Sequence, residues 1–157
     1  EHMKKTGIFY SLINASQEGV SILGICLGLQ LFFENGDEGG ENLGLGILQG
    51  NVQPLQNFCK FKDGFKIPVM GWYKPSWNIP NNEIKSSKLL NNISNSYMYF
   101  AHSYGVVPKD KSIELCKIDY YGSEIIAAVK KDNIFGTQFH PEKSGVAGLE
   151  ILKAFIS

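Results

Sequence analysis

The feature that most constrains this chain is the run Val20-Ser-Ile-Leu-Gly-Ile25, followed at once by Cys26-Leu-Gly-Leu-Gln30. A short apolar stretch rich in β-branched residues reads as a buried strand. The Leu-Gly-Leu-Gln-Leu-Phe-Phe-Glu segment after it, residues 27–34, reads as a helix. A strand that turns straight into a helix crowds the turn, and Gly24 and Gly28 stand two residues either side of Cys26 to relieve it. That is a nucleophile elbow, with sulfur where many hydrolases carry a hydroxyl. The helix N-terminus favours thiolate there, and the Leu27 N–H is free to meet a developing oxyanion.

The rest of the chain supplies short strands and one long helix. Strands are expected over residues 47–54, 65–70, 96–101, 113–119, 125–130 and 134–138. A helix is expected at residues 1–14, and a closing amphipathic helix at 145–156. Residues 35–46 and 71–95 are polar, rich in Gly, Asn, Ser or Pro, and read as loops. A buried strand feeding a helix, with many strands after it, points to one α/β domain with a mixed sheet over residues 1–157.

A thiol nucleophile needs a base, and there are three histidines. His2 lies near the start, His102 ends the segment Tyr97-Met-Tyr-Phe-Ala-His102, and His140 opens His-Pro-Glu. Pro141 holds His140 extended, and Glu142 then projects to the same side if the segment stays extended. A carboxylate there accepts the imidazole Nδ1–H and stabilises the imidazolium. Of the three cysteines, Cys59 and Cys116 have no comparable context and read as structural. Three is an odd count with no zinc-like spacing, which suits a reducing, cytoplasmic setting.

Charge narrows the ligand. The fifteen basic residues balance fifteen acidic ones, so nothing favours a polyanion such as nucleic acid. All the basic residues are lysine, so no guanidinium fork can clamp an anion. No apolar run approaches the roughly 18 residues of a membrane span.

Together, Gly24-Ile-Cys-Leu-Gly-Leu-Gln30 and His140-Pro-Glu142 resemble the two signatures of the class I, triad-type glutamine amidotransferases. Further stretches resemble the glutaminase subunit of imidazole glycerol phosphate synthase. They are Leu43-Gly-Leu-Gly-Ile-Leu-Gln-Gly-Asn-Val52, Ile67-Pro-Val-Met-Gly-Trp72, Tyr99-Phe-Ala-His-Ser-Tyr104 and Phe139-His-Pro-Glu-Lys-Ser144. The resemblance implies a flavodoxin-like α/β fold, a mixed sheet with flanking helices. It implies Cys26, His140 and Glu142 as catalytic residues and L-glutamine as substrate. Leu27, Gly28, Gln30, Glu38, Ser103 and Tyr104 would bind that substrate. Glu38 would meet its α-ammonium, and the Ser103-Tyr104 backbone its α-carboxylate. No metal or organic cofactor is implied. The implied partner is a TIM-barrel cyclase that receives the ammonia in histidine biosynthesis.

The family pattern places a strand, further strand-helix units and a Gly-rich oxyanion loop before the segment that Glu1-His-Met-Lys-Lys-Thr-Gly7 resembles. The chain therefore reads as the C-terminal part of a longer one, weak or inactive alone. Two positions depart from the pattern: Val69 stands where the family usually has His, and Tyr73 where it usually has Asn. Both lie in a stretch associated with the synthase partner. They keep open a paralogous glutaminase that supplies ammonia for amidinating a surface sugar. A peptidase-like cysteine hydrolase fits less well, given Gln30 and the Ser103-Tyr104 segment. A scaffold without catalysis is the remaining alternative for a chain lacking the oxyanion loop.

Overall fold

The computed structural model describes residues 2–40, 42–60, 65–79 and 88–157. Its largest sheet contains five strands in the order β1-β11-β10-β9-β6. These are β1 (Ile22–Ile25), β11 (Ile134–Thr137), β10 (Ser123–Lys131), β9 (Glu114–Tyr120) and β6 (Ser76–Trp77). β1 runs parallel to β11, and the remaining pairs are antiparallel, so the sheet is mixed. A second sheet holds β2 (Asn35–Gly36), β3 (Asn42–Leu43), β4 (Gly50–Pro54) and β8 (Tyr104–Pro108). A third pairs β5 (Val69–Tyr73) with β7 (Met98–His102). Helix α3 (Leu27–Leu31) follows β1, and α1 (His2–Lys5), α2 (Ile8–Gln17), α4 (Lys88–Ser94) and α5 (Gly145–Ile156) flank the sheets.

Two apolar clusters hold these layers. One gathers Phe100, Phe139, Ile118 and Ile125, with Ala147 of α5 closing it. The other gathers Leu29 and Phe33 with Leu48 and Val106, and Phe9, Leu12 and Ile13 of α2 pack against it. Phe33, Phe100 and Phe139 are wholly buried, each contributing roughly 1.5–3 kcal/mol relative to exposure. Along β9, Cys116, Ile118 and Tyr120 point inward at alternate positions. In β10 that alternation breaks where the register shifts near Ala128, and Ala127, Ala128 and Val129 are all buried.

Several sequence expectations need correcting. The expected strand at 65–70 begins at Val69, because Pro68 cannot donate to a ladder, and it continues through Trp72 and Tyr73. The expected loop at 71–95 contains β6 and α4, with residues 80–87 outside the described set. The expected loop at 35–46 contains the two-residue strands β2 and β3. β8 was not anticipated; it pairs antiparallel with β4, from Gly50 opposite Pro108 to Pro54 opposite Tyr104. The helix expected at 1–14 breaks at Gly7, whose φ of 76° is left-handed, and resumes over Ile8–Gln17. The helix expected over 27–34 ends at Leu31, where the chain turns to bury Phe32 and Phe33. β1, read from the sequence as a buried strand, is only partly buried here. Among the described strands, β1 pairs with β11 alone; only its Gly24 is buried, and Val20 just before it is 52% exposed.

Candidate active site

The elbow forms as the sequence suggests. Cys26 has φ 50° and ψ −103°, a positive φ rare for a residue with a β-carbon and costing about 1–3 kcal/mol. Two main-chain bonds hold it there. Its N–H donates to the Thr137 carbonyl at 2.7 Å, and its carbonyl accepts from the Gln30 N–H at 3.2 Å. Gly24 is required at its place: a β-carbon there would sit 2.6 Å from the Gly28 backbone and 2.6 Å from the Phe32 ring. Gly28 is different, since a β-carbon there would meet nothing. Its expected steric role is not what the packing needs.

The parallel pairing of β1 and β11, with Ile25 opposite Thr137, brings the two strand ends together. Cys26 leaves one end and Gln138-Phe139-His140 leaves the other. His140 is anchored through its backbone. Its N–H donates to the Tyr99 carbonyl at 2.8 Å, and its carbonyl accepts from Ser144 Oγ at 2.6 Å. Ser144 Oγ in turn accepts from the Tyr99 N–H at 3.0 Å. The imidazole Nδ1 lies 2.8 Å from Glu142 Oε1. The expected extended path to Glu142 is corrected: Pro141–Lys143 is a 3₁₀ turn, and it still brings the carboxylate to the ring. A neutral ring facing a carboxylate through Nδ1 carries its proton there, which makes Nε2 the ring's acceptor.

The thiol environment also departs from expectation. Burial raises the Cys26 pKa, and the charges of Glu38 and Glu142 push the same way. The Leu27 N–H and the Gln138 side chain oppose the rise without cancelling it. Burial thus works against the thiolate expected at the helix N-terminus, while the Leu27 N–H acts in the expected direction. A buried thiol with a raised pKa makes a base necessary. No hydrogen bond among the described residues links Cys26 to His140; the thiol accepts from Gln138 Nε2 at 3.6 Å. Cys59 and Cys116 are buried free thiols with raised pKa values, caused chiefly by burial, as suits structural cysteines.

Leu27, Gln30 and Glu38 line one open groove of about 370 Å³ with Leu31, Asn35 and Val52. Cys26, Gly28, His140, Ser103 and Tyr104 are not among its lining residues. Ser103 sits at the bend between β7 and β8, and its carbonyl accepts from the Leu55 N–H at 3.0 Å. Tyr104 opens β8, and its carbonyl accepts from Gln30 Nε2 at 3.2 Å and His102 Nδ1 at 2.7 Å. Gln138 was missed by the sequence reading. It is wholly buried and touches both the thiol and Gln30. The available signal was a lone carboxamide at the end of an otherwise apolar strand, two residues before His140.

His102 is a buried ring tied to the main chain, its Nδ1 lying 2.7 Å from the Tyr104 carbonyl. It is 6% exposed, and burial lowers its pKa to about 4 from an ordinary 6.5. The unfolded chain takes up its proton below about pH 6.5, the folded chain only below about pH 4. Between those values the unfolded state holds more protons, so this group's contribution to stability falls as pH falls. The full loss is about 3 kcal/mol, complete below the folded value. Urea unfolding from pH 7 to pH 4 is expected to show a shallower pH slope for His102→Asn, which keeps a donor for the Tyr104 carbonyl. An unchanged slope would mean that His102 is not buried as a neutral ring.

A cysteine at a strand-to-helix elbow, beside a strand ending in a histidine–carboxylate pair, defines an α/β domain of the thiol-dependent hydrolase and amidotransferase class. The family model described as "Glutamine amidotransferase class-I" matches residues 2–157, and the chain belongs to that family. The imidazole glycerol phosphate synthase subunit HisH of Geobacillus thermodenitrificans is 38% identical over 154 residues, covering 98% of this chain and 69% of the relative. The same-named subunit of Pelagibacter ubique is 44% identical over 137 residues, covering 87% of this chain and 61% of the relative. A crystal structure of a glutamine amidotransferase superposes with a TM-score of 0.67 at 13% identity, covering 98% of this chain and 69% of that one. At that identity the likeness concerns the fold. No described helix is long and apolar enough to cross a membrane.

Proposed function

We propose that this domain hydrolyses L-glutamine to glutamate and ammonia through a Cys26 thioester. The observation that carries this is the elbow at Cys26, with its positive φ, joined by β1–β11 pairing to the His140–Glu142 couple. His140 Nε2 takes the thiol proton, and the sulfur attacks the carboxamide carbon of glutamine. The Leu27 N–H, already directed at the sulfur, stabilises the oxyanion. The imidazolium returns the proton to the amide nitrogen, the C–N bond breaks, and ammonia leaves a glutamyl thioester. Water then adds to the thioester while His140 takes its proton. That proton goes back to the sulfur as glutamate departs. Glu142 keeps Nδ1–H in place throughout.

Substrate selection follows from the groove. Glu38 is exposed at its rim and offers a carboxylate to the α-ammonium. Gln30 Nε2 serves both Tyr104 and Gln138, which leaves its Oε1 to accept from the substrate's NH₂. A carboxylate product has no donor for that oxygen. Gly28 and the Ser103-Tyr104 backbone complete the binding set, the latter at the α-carboxylate.

The named relatives are subunits of imidazole glycerol phosphate synthase. We infer that this chain serves the same synthase in the cytoplasm and delivers ammonia to a TIM-barrel cyclase for histidine biosynthesis. Free ammonia in water is largely protonated and lost as a nucleophile, so direct transfer has a purpose. The two departures from the family pattern do not oppose this reading. In β5 the buried Val69 lies on the inward face, and Tyr73 packs against Phe100 and Tyr120. Met70 and Trp72 point outward, 60% and 52% exposed, and offer an apolar docking face.

The test is glutamate release from L-glutamine, measured with and without the cyclase subunit, together with imidazole glycerol phosphate formation. Release that rises with the cyclase, and product made with glutamine as nitrogen source, are expected. No release under either condition, from this chain or from one that carries the upstream segment the family pattern places before Glu1, would reject the glutaminase. Release without product would keep the glutaminase and reject the cyclase as partner.

A further inference from the structure

We propose that Gln138 is a positioning residue for the nucleophile: its carboxamide N–H holds the Cys26 sulfur, and Gln30 sets which way that carboxamide faces. The proposal deepens the glutaminase reading and rests on it.

The orientation follows from what each atom can do. The Tyr104 carbonyl can only accept, so the Gln30 atom 3.2 Å from it must be the nitrogen. The same Gln30 Nε2 lies 3.3 Å from Gln138, which must present its oxygen there. The remaining half of the Gln138 carboxamide, its Nε2, then lies 3.6 Å from Cys26 Sγ. His102 adds a second constraint by donating from Nδ1 to the same Tyr104 carbonyl at 2.7 Å. A line of donors thus runs from a main-chain carbonyl to the sulfur, and every amide in it has one allowed orientation.

The setting makes this line rigid. Gln138 is wholly buried, its N–H donates to the Ala127 carbonyl at 2.8 Å, and Gln30 is only 9% exposed. Water has little access to substitute for either side chain. A donor facing sulfur favours thiolate over thiol, because only the thiolate gains a full acceptor. Facing the same thiol are the charges of Glu38 and Glu142, which oppose ionisation, and the Leu27 N–H, which assists it. Gln138 is the side-chain donor among them.

The experiment reads the sulfur directly, without glutamine. Wild type, Gln138→Met and Gln138→Glu are alkylated with iodoacetamide from pH 6 to pH 10, and the Cys26 peptide is quantified by mass spectrometry. That readout excludes Cys59 and Cys116. Gln138→Met keeps the length and removes the donor; Gln138→Glu keeps an acceptor for Gln30 and places a carboxylate at the sulfur. Below the midpoint, the rate of Cys26 alkylation is expected to fall about tenfold in the Met variant and further in the Glu variant. Far-ultraviolet circular dichroism and melting checks confirm that each variant is folded; if the Met variant does not fold, the Glu variant decides. Profiles that overlay the wild type would overturn the proposal. Because no turnover is measured, the result is independent of whether glutamine is the substrate.

Discussion

Replacing Cys26 with serine is expected to lower glutamine hydrolysis by at least about three orders of magnitude while leaving the fold intact. Serine is nearly isosteric and keeps the same main-chain bonds, donating to the Thr137 carbonyl and accepting from the Gln30 N–H. The hydroxyl, however, ionises far less readily than even a buried thiol. Loss of an activated nucleophile typically removes most of the rate enhancement, because the members of such a constellation act as a unit. The measurement is kcat for glutamate release, with the melting temperature as a control for folding. Activity above about a tenth of wild type would remove Cys26 from the role of nucleophile.

The second large effect is expected at His140. His140→Ala removes the group proposed to take the thiol proton and return it to the leaving amine, and the expected cost is about 10²–10⁴-fold in kcat. Glu142→Gln is expected to cost less. The carboxylate lies 2.8 Å from Nδ1, but its side chain is 44% exposed, so water can replace part of its orienting effect. The backbone bonds from Tyr99 and Ser144 also hold His140 in place without Glu142. Steady-state kinetics on the two variants separate the roles. Equal losses, or a larger loss for Glu142→Gln, would mean that the carboxylate does more than orient the ring.

Local chemistry was legible where a residue's own geometry makes the argument. Gly24 reads as the glycine of a tight elbow, and the crowding of Gly28 and Phe32 around it bears this out. The closing helix at 145–156 was legible from its period, and β9 from its alternation. The extent of the strand after Pro68 and the strand at Tyr104–Pro108 were not, because each is held by a partner far away in sequence: β7 for the first, β4 for the second. Short segments carry too little period of their own, and pairing supplies the rest.

The site divides along the same line. The sequence by itself determined the reactive groups: a cysteine at a strand-to-helix turn, a His-Pro-Glu segment, and a chain with lysine but no arginine. Those properties depend on residues within a few positions of one another. Only the tertiary structure decided that burial raises the Cys26 pKa, that Gln138 lies against the thiol, and that Val69 and Tyr73 turn inward. Each of these depends on burial or on a hydrogen bond between residues dozens of positions apart. The Gln138–Cys26 contact exists only because β1 and β11 lie side by side. Desolvation is likewise a property of the packed neighbourhood, and no pattern along the chain carries it.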